Sequence, residues 1–397
     1  MAMLLAASSA QAGRIRIEFD DTAAGAMLDL LEDSRVHDTE RAELLALPAY
    51  VLVARQLERS LGLPEGEGAM CWDTALQAAA TDEPQPGMEL EHGRARPTAY
   101  RRALQALRRE ESRLQLDLSR RIAAFLPPRA GLEATVYVIV GGDAVGMTPP
   151  GVDAVVLRID DFVRGAPDHP LDVDAFEVAA SHELYHVGFR AAGGPPPRPI
   201  DPDEEWITLA SVYGADTVGE VWRRADERRW DGSLMAARFA AWVPPDEWSV
   251  LALDRLLRHL SRIQAEGCAV LTEGSDTDEA ERARWMRNID ADFEVLAELT
   301  RLLSRGAAPE RLELIAQHGF RNNGPLYRVG TRMAQRIDER FGRRALVASV
   351  EEGPLEFVDR YLETQPDGPG HVDPSTERVL RQVIREIRGV GTFDPRE

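Results

Sequence analysis

The sequence predicts an α+β fold that is predominantly α. Two β-branched runs, "EATVYVIVGG" and "DAVVLRIDDF", stand close together and are bounded by glycine and proline. Apolar residues recur at helical spacing through most of the remaining chain. Everything after Trp206 is helical in pattern, with glycine, proline and Asp/Asn as punctuation. The expectation is a small sheet with helices beside it, then a large helical lobe. With 397 residues, 44% of them hydrophobic, the chain can bury a sizeable core in one large domain or two smaller lobes.

The elements follow in order. Residues 1–13, "MAMLLAASSAQAG", end in the small-x-small pattern Ala10-Gln11-Ala12 but lack a basic leading region. They read as the remnant of an export signal or as a frayed alanine-rich terminus, with export to the periplasm or beyond slightly favoured. Residues 14–192 form a first lobe. Arg14 to Phe19 alternates charged and aliphatic residues like a short strand, and "TAAGAMLDLLE" and "RAELLALPAYVLVARQLERSLG" look helical. Pro64 to Met88 is rich in turn formers around Cys71-Trp72. From Pro97 to Phe125, Leu104, Leu107, Leu114, Leu118, Ile122 and Phe125 mark a long amphipathic helix that Pro127-Pro128 ends. The two strands come next, joined by "GDAVGMTPPG". "DVDAFEVAASHELYHVGFRAAGG" is then a helix with acidic residues in its first turn and glycines after its end. Residues 193–205 are a proline-rich linker, 206–364 a helical lobe, and 365–397 a polar tail with one last helix around Val379–Ile387.

Charge narrows the partners. The formal net charge is −20 and the sequence pI about 4.9. Such a surface repels phosphate backbones and anionic lipid, so nucleic acid and membrane surfaces are poor partners. No apolar run reaches the ~18 residues that span a bilayer. All basic residues are arginine, which reads as coding bias from a GC-rich genome. Cys71 and Cys268 are too few and too far apart for a disulfide framework or a cysteine zinc knuckle. Two buried thiols are the plainer reading.

The chemistry gathers in "ASHELYHVGF", Ala180 to Phe189. On a helix, residues four apart share a face. His182 and His186 can therefore offer two imidazole nitrogens to one zinc ion at about 2.0–2.1 Å. Glu183 is rotated by roughly 100° from His182, so it reaches a water on the metal rather than the metal itself. Zinc lowers the pKa of such a water towards ~7. Glu183 would take its proton as general base and pass it to the leaving amine. A chain of this length meets the pattern by chance on the order of once in a hundred, so coincidence is the weaker reading.

A catalytic zinc needs a third protein ligand and one open position. No third histidine follows at short spacing, which leaves a downstream carboxylate. Glu204 and Glu205 lie in "DPDEEW", which also reads as a solvated helix N-terminus. Glu266 lies in "LDRLLRHLSRIQAEGCAVLTEG", on the flank of an apolar helical stripe where an unmatched carboxylate would be costly. The neighbouring Gly267 costs about 1 kcal/mol against alanine in a helix and makes sense where another backbone approaches closely. Glu266 is the preferred ligand; Glu204 and Glu205 remain alternatives. His259 and Glu273, each seven residues from Glu266, are either solvated flank or partners of a ligand.

His182-Glu183-x-x-His186, followed by a helix carrying Glu266-Gly267-x-Ala269, resembles the gluzincin branch of zinc peptidases. The likeness is greatest to bacterial families described only as zinc-dependent peptidases of unknown function. "GPLYRVGTRMAQRIDERFG", Gly324 to Gly342, is similar to a later helix of those families, and "RIRIEFDDTAAGAMLDLLE" to their opening segment. The resemblance spans roughly Glu133 to Tyr361; the long stretch before Glu266, including Trp206–Trp248, departs from the commoner spacing. It implies a zincin-like fold, zinc as cofactor and a peptide or protein substrate. It also implies that Tyr327, with His318 as alternate, hydrogen-bonds the oxyanion, and that an edge strand, here Ala154–Ile159, aligns the peptide backbone. Two other readings compete: a zinc hydrolase of a non-peptide amide or ester, and a non-catalytic helical binding module on a degenerate peptidase scaffold.

Overall fold

The computed structural model describes residues 13–33, 37–61, 63–80, 88–142, 144–166, 169–193, 250–274, 279–304, 315–316, 319–320, 324–364 and 369–390. The residues before Gly13, the proline-rich linker after Gly193 and the Trp206–Trp248 stretch lie outside them. The chain is mostly helical with a small mixed sheet. It divides into two compact units, Met1–Ala192 and Gly193–Glu397.

In the first unit, strands β1 (Ile15–Asp20), β2 (Leu132–Ile139), β3 (Gly146–Met147) and β4 (Ala154–Arg158) form one sheet in the order β1-β2-β4-β3. The first three in that order are parallel, with Ile17 opposite Ala134 and Val138 opposite Leu157. β3 runs antiparallel to β4, Gly146 opposite Leu157. Every residue of β4 is buried, as expected of a parallel strand covered on both faces. Ala154–Arg158 is therefore an interior strand, which corrects the expectation of an edge there. Two residues of "GDAVGMTPPG" form the edge instead, a pairing too short to leave a period-2 pattern. A further ribbon, β5 (Val163–Ala166) with β6 (His169–Leu171), follows.

The helices of this unit are α1 (Thr22–Glu32), α2 (Asp38–Leu45), α3 (Pro48–Leu61), α4 (Glu67–Ala80), α5 (Leu90–Ala95), α6 (Pro97–Ala123) and α7 (Val173–Ala191). The segment expected as one helix around "ALPAYV" is two, α2 and α3. Proline lacks an N–H and fits only the first turn, so Pro48 starts a new helix. α4 occupies the stretch expected as turns. Trp72, Ala75 and Leu76 bury one face of it, and that packing overrides the local turn formers. Both α3 and α7 pack on β4.

α7 carries the His-Glu motif, and its position is heavily determined. Phe176, Ala180, Leu184 and Val187 are buried along one side, with Tyr185 and Phe189 beside them. Phe176 packs edge-on against Phe162, ring centroids 5.3 Å apart. Gly188 lets α7 lie close to Leu126, where a Cβ would come within 2.3 Å of its Cδ1. The buried carboxylate of Glu177 accepts hydrogen bonds from Arg113 (3.3 Å) and Arg121 (3.0 Å) on α6. At the N-terminus, Asp172 accepts a hydrogen bond from the Ala175 N–H at 3.1 Å. That bond, and then the ion pair with Arg164, hold the Asp172 carboxyl below its ordinary pKa. Asp172→Ala is expected to destabilise the chain by about 1 kcal/mol in urea titrations. A depressed folded-state pKa stabilises above the unfolded value of about 3.9 and is lost as pH falls through the folded value. The difference between wild type and Asp172→Ala should therefore be full at neutral pH and shrink only below about pH 4.

In the second unit the described helices are α8 (Val250–Thr272), α9 (Glu279–Ser304), α10 (Pro325–Phe341), α11 (Arg343–Glu352), α12 (Pro354–Glu363) and α13 (Pro374–Val390). Leu256, Leu260 and Ile263 of α8 bury the stripe read from the sequence. α8 packs chiefly on α10. The two cross at Gly267 and Gly330, where a Cβ on Gly267 would lie 2.1 Å from the Gly330 carbonyl carbon. Arg328 of α10 clasps the buried Asp292 of α9 with two hydrogen bonds of 2.7 and 2.6 Å. Among the described residues, no helix is long and apolar enough to cross a membrane.

Candidate metal centre

α7 brings His182, Glu183 and His186 together. The two imidazole Nε2 atoms lie 3.2 Å apart, with ring centroids at 4.9 Å and planes at 74°. His186 is 6% exposed, and His182 is half-buried. Two nitrogens each about 2.05 Å from a tetrahedral ion would be separated by about 3.3 Å. The pair thus stands near the separation that a shared zinc requires, a distance that also suits a hydrogen bond between the two rings.

The Glu183 side chain lies against the sheet edge. The Thr148 hydroxyl lies 2.6 Å from Glu183 Oε2 and 2.8 Å from the Glu183 carbonyl oxygen. Gly146 of β3 faces the same side chain: a Cβ there would lie 3.0 Å from Glu183 Cγ and 3.3 Å from Oε1. The segment after β3 is fastened to α7 a second time. Arg190 donates to the carbonyls of Pro149 (2.9 Å) and Val152 (2.7 Å). Burial lowers the Arg190 pKa from its ordinary value.

The second unit gathers the other predicted residues around Phe320. Glu266 is 5% exposed on α8, and Arg262, one turn before it, has its Nε 3.5 Å from Glu266 Oε1. The Arg262 guanidinium lies over the Phe320 ring at 4.1 Å, within range of a cation–π attraction. His259 stacks on the same ring, centroids 6.4 Å apart at 23°. At 3% exposure it is no solvated flank. Glu273, by contrast, is half-buried at the end of α8. Tyr327 meets Phe320 edge-on at 6.1 Å. It sits in the first turn of α10, where its N–H donates to the Gly324 carbonyl at 3.1 Å, so Gly324-Pro325 does set the helix start.

Residues 251–364 match a family described as "Putative zinc dependent peptidase (DUF5700)". The match covers Glu266, Gly267, Gly330 and Tyr327 but not the His182–His186 motif, and under a third of the chain in all. The similarity thus falls on α8 to α12, reached independently of the histidine motif that first suggested zinc. No curated protein and no solved structure matches the chain.

Glu204, Glu205 and His318 lie outside the described residues. Neither Cys71 nor Cys268 forms a disulfide. Thr148, Gly146 and Arg262 were not singled out by the sequence. Thr148 stands in a turn-rich stretch where a hydroxyl carries no signal, and Arg262 is one of many arginines. Gly146 is legible only once β3 is known to exist.

Proposed function

We propose that the chain is a zinc-dependent peptidase in which His182, His186 and Glu266 hold one zinc ion. Support comes first from the Nε2–Nε2 separation of 3.2 Å on α7, against about 3.3 Å for a tetrahedral ion. The donor set fits a catalytic rather than a structural zinc: two imidazoles and a carboxylate, with a fourth position left open. Glu266 adds a carboxylate, buried beside the Arg262 guanidinium, of the donor type that completes a two-histidine zinc site. Among the described residues, these three have the donor types and burial such an ion asks for. The family similarity supports zinc dependence and a peptide substrate.

Bound zinc would supply Lewis acidity, acidifying a water and polarising a substrate carbonyl. The remaining roles belong to the chain. Glu183, adjacent to His182 but on another side of α7, accepts the proton of the attacking water and delivers it to the leaving amine. Tyr327, fixed in the first turn of α10, donates a hydrogen bond to the developing oxyanion. β3, the edge strand, pairs with the extended backbone of the peptide.

Metal analysis of purified protein tests the reading. Wild type is expected to hold about one zinc per chain at the stoichiometry of a single site. His182→Ala should lose it, because two ligands do not retain a catalytic zinc through purification. Equal zinc in wild type and His182→Ala would remove the site.

A further inference from the structure

The edge strand does more than border the sheet. Its residues and those just after it surround the Glu183 side chain from two directions. Thr148 supplies a hydroxyl within 2.6 Å of Oε2. Gly146 supplies room by lacking a side chain, since a Cβ would sit 2.8 Å from Leu157 Cδ2 and 3.0 Å from Glu183 Cγ. We infer that Gly146 and Thr148 form a cradle that sets the position of the Glu183 carboxylate, which makes Thr148 a positioning residue for the general base. This rests on the reading of Glu183 as that base.

The cradle is stiff, and that is what lets it position anything. Val145 accepts a hydrogen bond from the Arg158 N–H at 2.8 Å, which holds the strand before Gly146 to the end of β4. Beyond Thr148, Arg190 grips the Pro149 and Val152 carbonyls. Thr148 is therefore held between two anchors, one on β4 and one on α7. A glutamate on a helix surface samples several rotamers, and fixing such a side chain costs up to about 1.5–2 kcal/mol. The Thr148 hydroxyl has one proton and two acceptors, the Glu183 carboxylate and its own helix carbonyl. The carboxylate contact is the shorter and is charge-assisted. One rotamer of Glu183 is thereby selected before any substrate arrives. Displacing a reacting group by about 1 Å can cost about a hundredfold in rate, so the selection matters for turnover rather than for binding.

The test uses the full zinc-loaded chain and an internally quenched peptide that wild type cleaves. Thr148→Val keeps shape and removes the hydroxyl. It is expected to lower kcat by about 10–100-fold while KM stays within about twofold and zinc content and Tm are unchanged. Thr148→Ser, which restores the hydroxyl, should recover most of kcat. Within a Glu183→Gln background, Thr148→Val should cost nothing further, because its effect passes through the carboxylate. Gly146→Ala keeps the hydroxyl but crowds both Leu157 and Glu183, so it should also lower kcat with zinc retained; should Thr148→Val not fold, Thr148→Ala, read by the same kcat and zinc content, decides the matter. Wild-type kcat in Thr148→Val or in Gly146→Ala overturns the cradle, as does a serine variant no better than valine. Full activity in Glu183→Gln is a different failure, since it removes the base itself.

Discussion

Glu183→Gln is expected to retain about one zinc per chain and to lose peptide hydrolysis by about 10²–10⁴-fold, the range ascribed to general acid–base groups. The substitution keeps the volume of the side chain, and its amide oxygen can still accept from Thr148. What it removes is the capacity to take a proton. The scaffold has no reason to respond, because Glu183 is only half-buried and the packing of α7 rests on Phe176, Leu184 and Phe189. The comparison with His182→Ala separates two roles that the motif alone leaves fused. If glutamine at this position also empties the metal site, Glu183 is a ligand and the division of labour is wrong. If hydrolysis survives, the base lies elsewhere. Metal content and kcat on the same preparations decide between these.

How much of this was readable without coordinates depends on length and on what buries each element. The α7 helix was legible in full: its acidic first turn, apolar face and terminal glycines all lie within one continuous window. β4 was legible because a parallel strand buried along its whole length reads as an unbroken apolar run, and β2 because its buried residues alternate with exposed or half-buried ones. α8 showed its stripe, and Gly267 was readable as a place of close backbone approach, although its partner Gly330 lies 63 positions on and only the fold joins them. α4 was lost because glycine, proline and acidic residues outvoted a face built on Trp72 and Leu76. β3 and the β5–β6 ribbon are shorter than any period can reveal. With β3 unseen, β4 was taken for the edge, and Thr148 had no neighbour to act on. His259 shows the same limit in the second unit. Its sequence position suggested a flank, but Phe320, some sixty residues later, covers it.

The crossing of α8 and α10 should be the most sensitive packing contact in the second unit. A Cβ on Gly330 would lie 2.1 Å from the Ile263 carbonyl oxygen, and one on Gly267 2.1 Å from the Gly330 carbonyl carbon. Ordinary carbon contacts are about 3.5–4.0 Å, so either alanine forces the helices apart by more than an ångström. The obstructing atoms are backbone, and no side-chain rotation relieves them. Overpacking of this kind costs about 1–3 kcal/mol and sometimes more; with two helix backbones as the walls, a loss of at least about 3 kcal/mol is expected for Gly330→Ala. The sign is the diagnostic part. A helical glycine in open space gains about 1 kcal/mol of helix propensity on becoming alanine. Gly25 of α1 is such a glycine, with nothing within 4 Å of its missing Cβ. In urea denaturation, Gly25→Ala should therefore stabilise the chain while Gly330→Ala destabilises it. If Glu266 is a zinc ligand as proposed, Gly330→Ala would also weaken zinc binding, because Glu266 directly precedes Gly267 on α8. Stabilisation by both alanines would mean that the two helices do not meet at their glycines, and the placement of the Glu266 carboxylate would lose its physical basis.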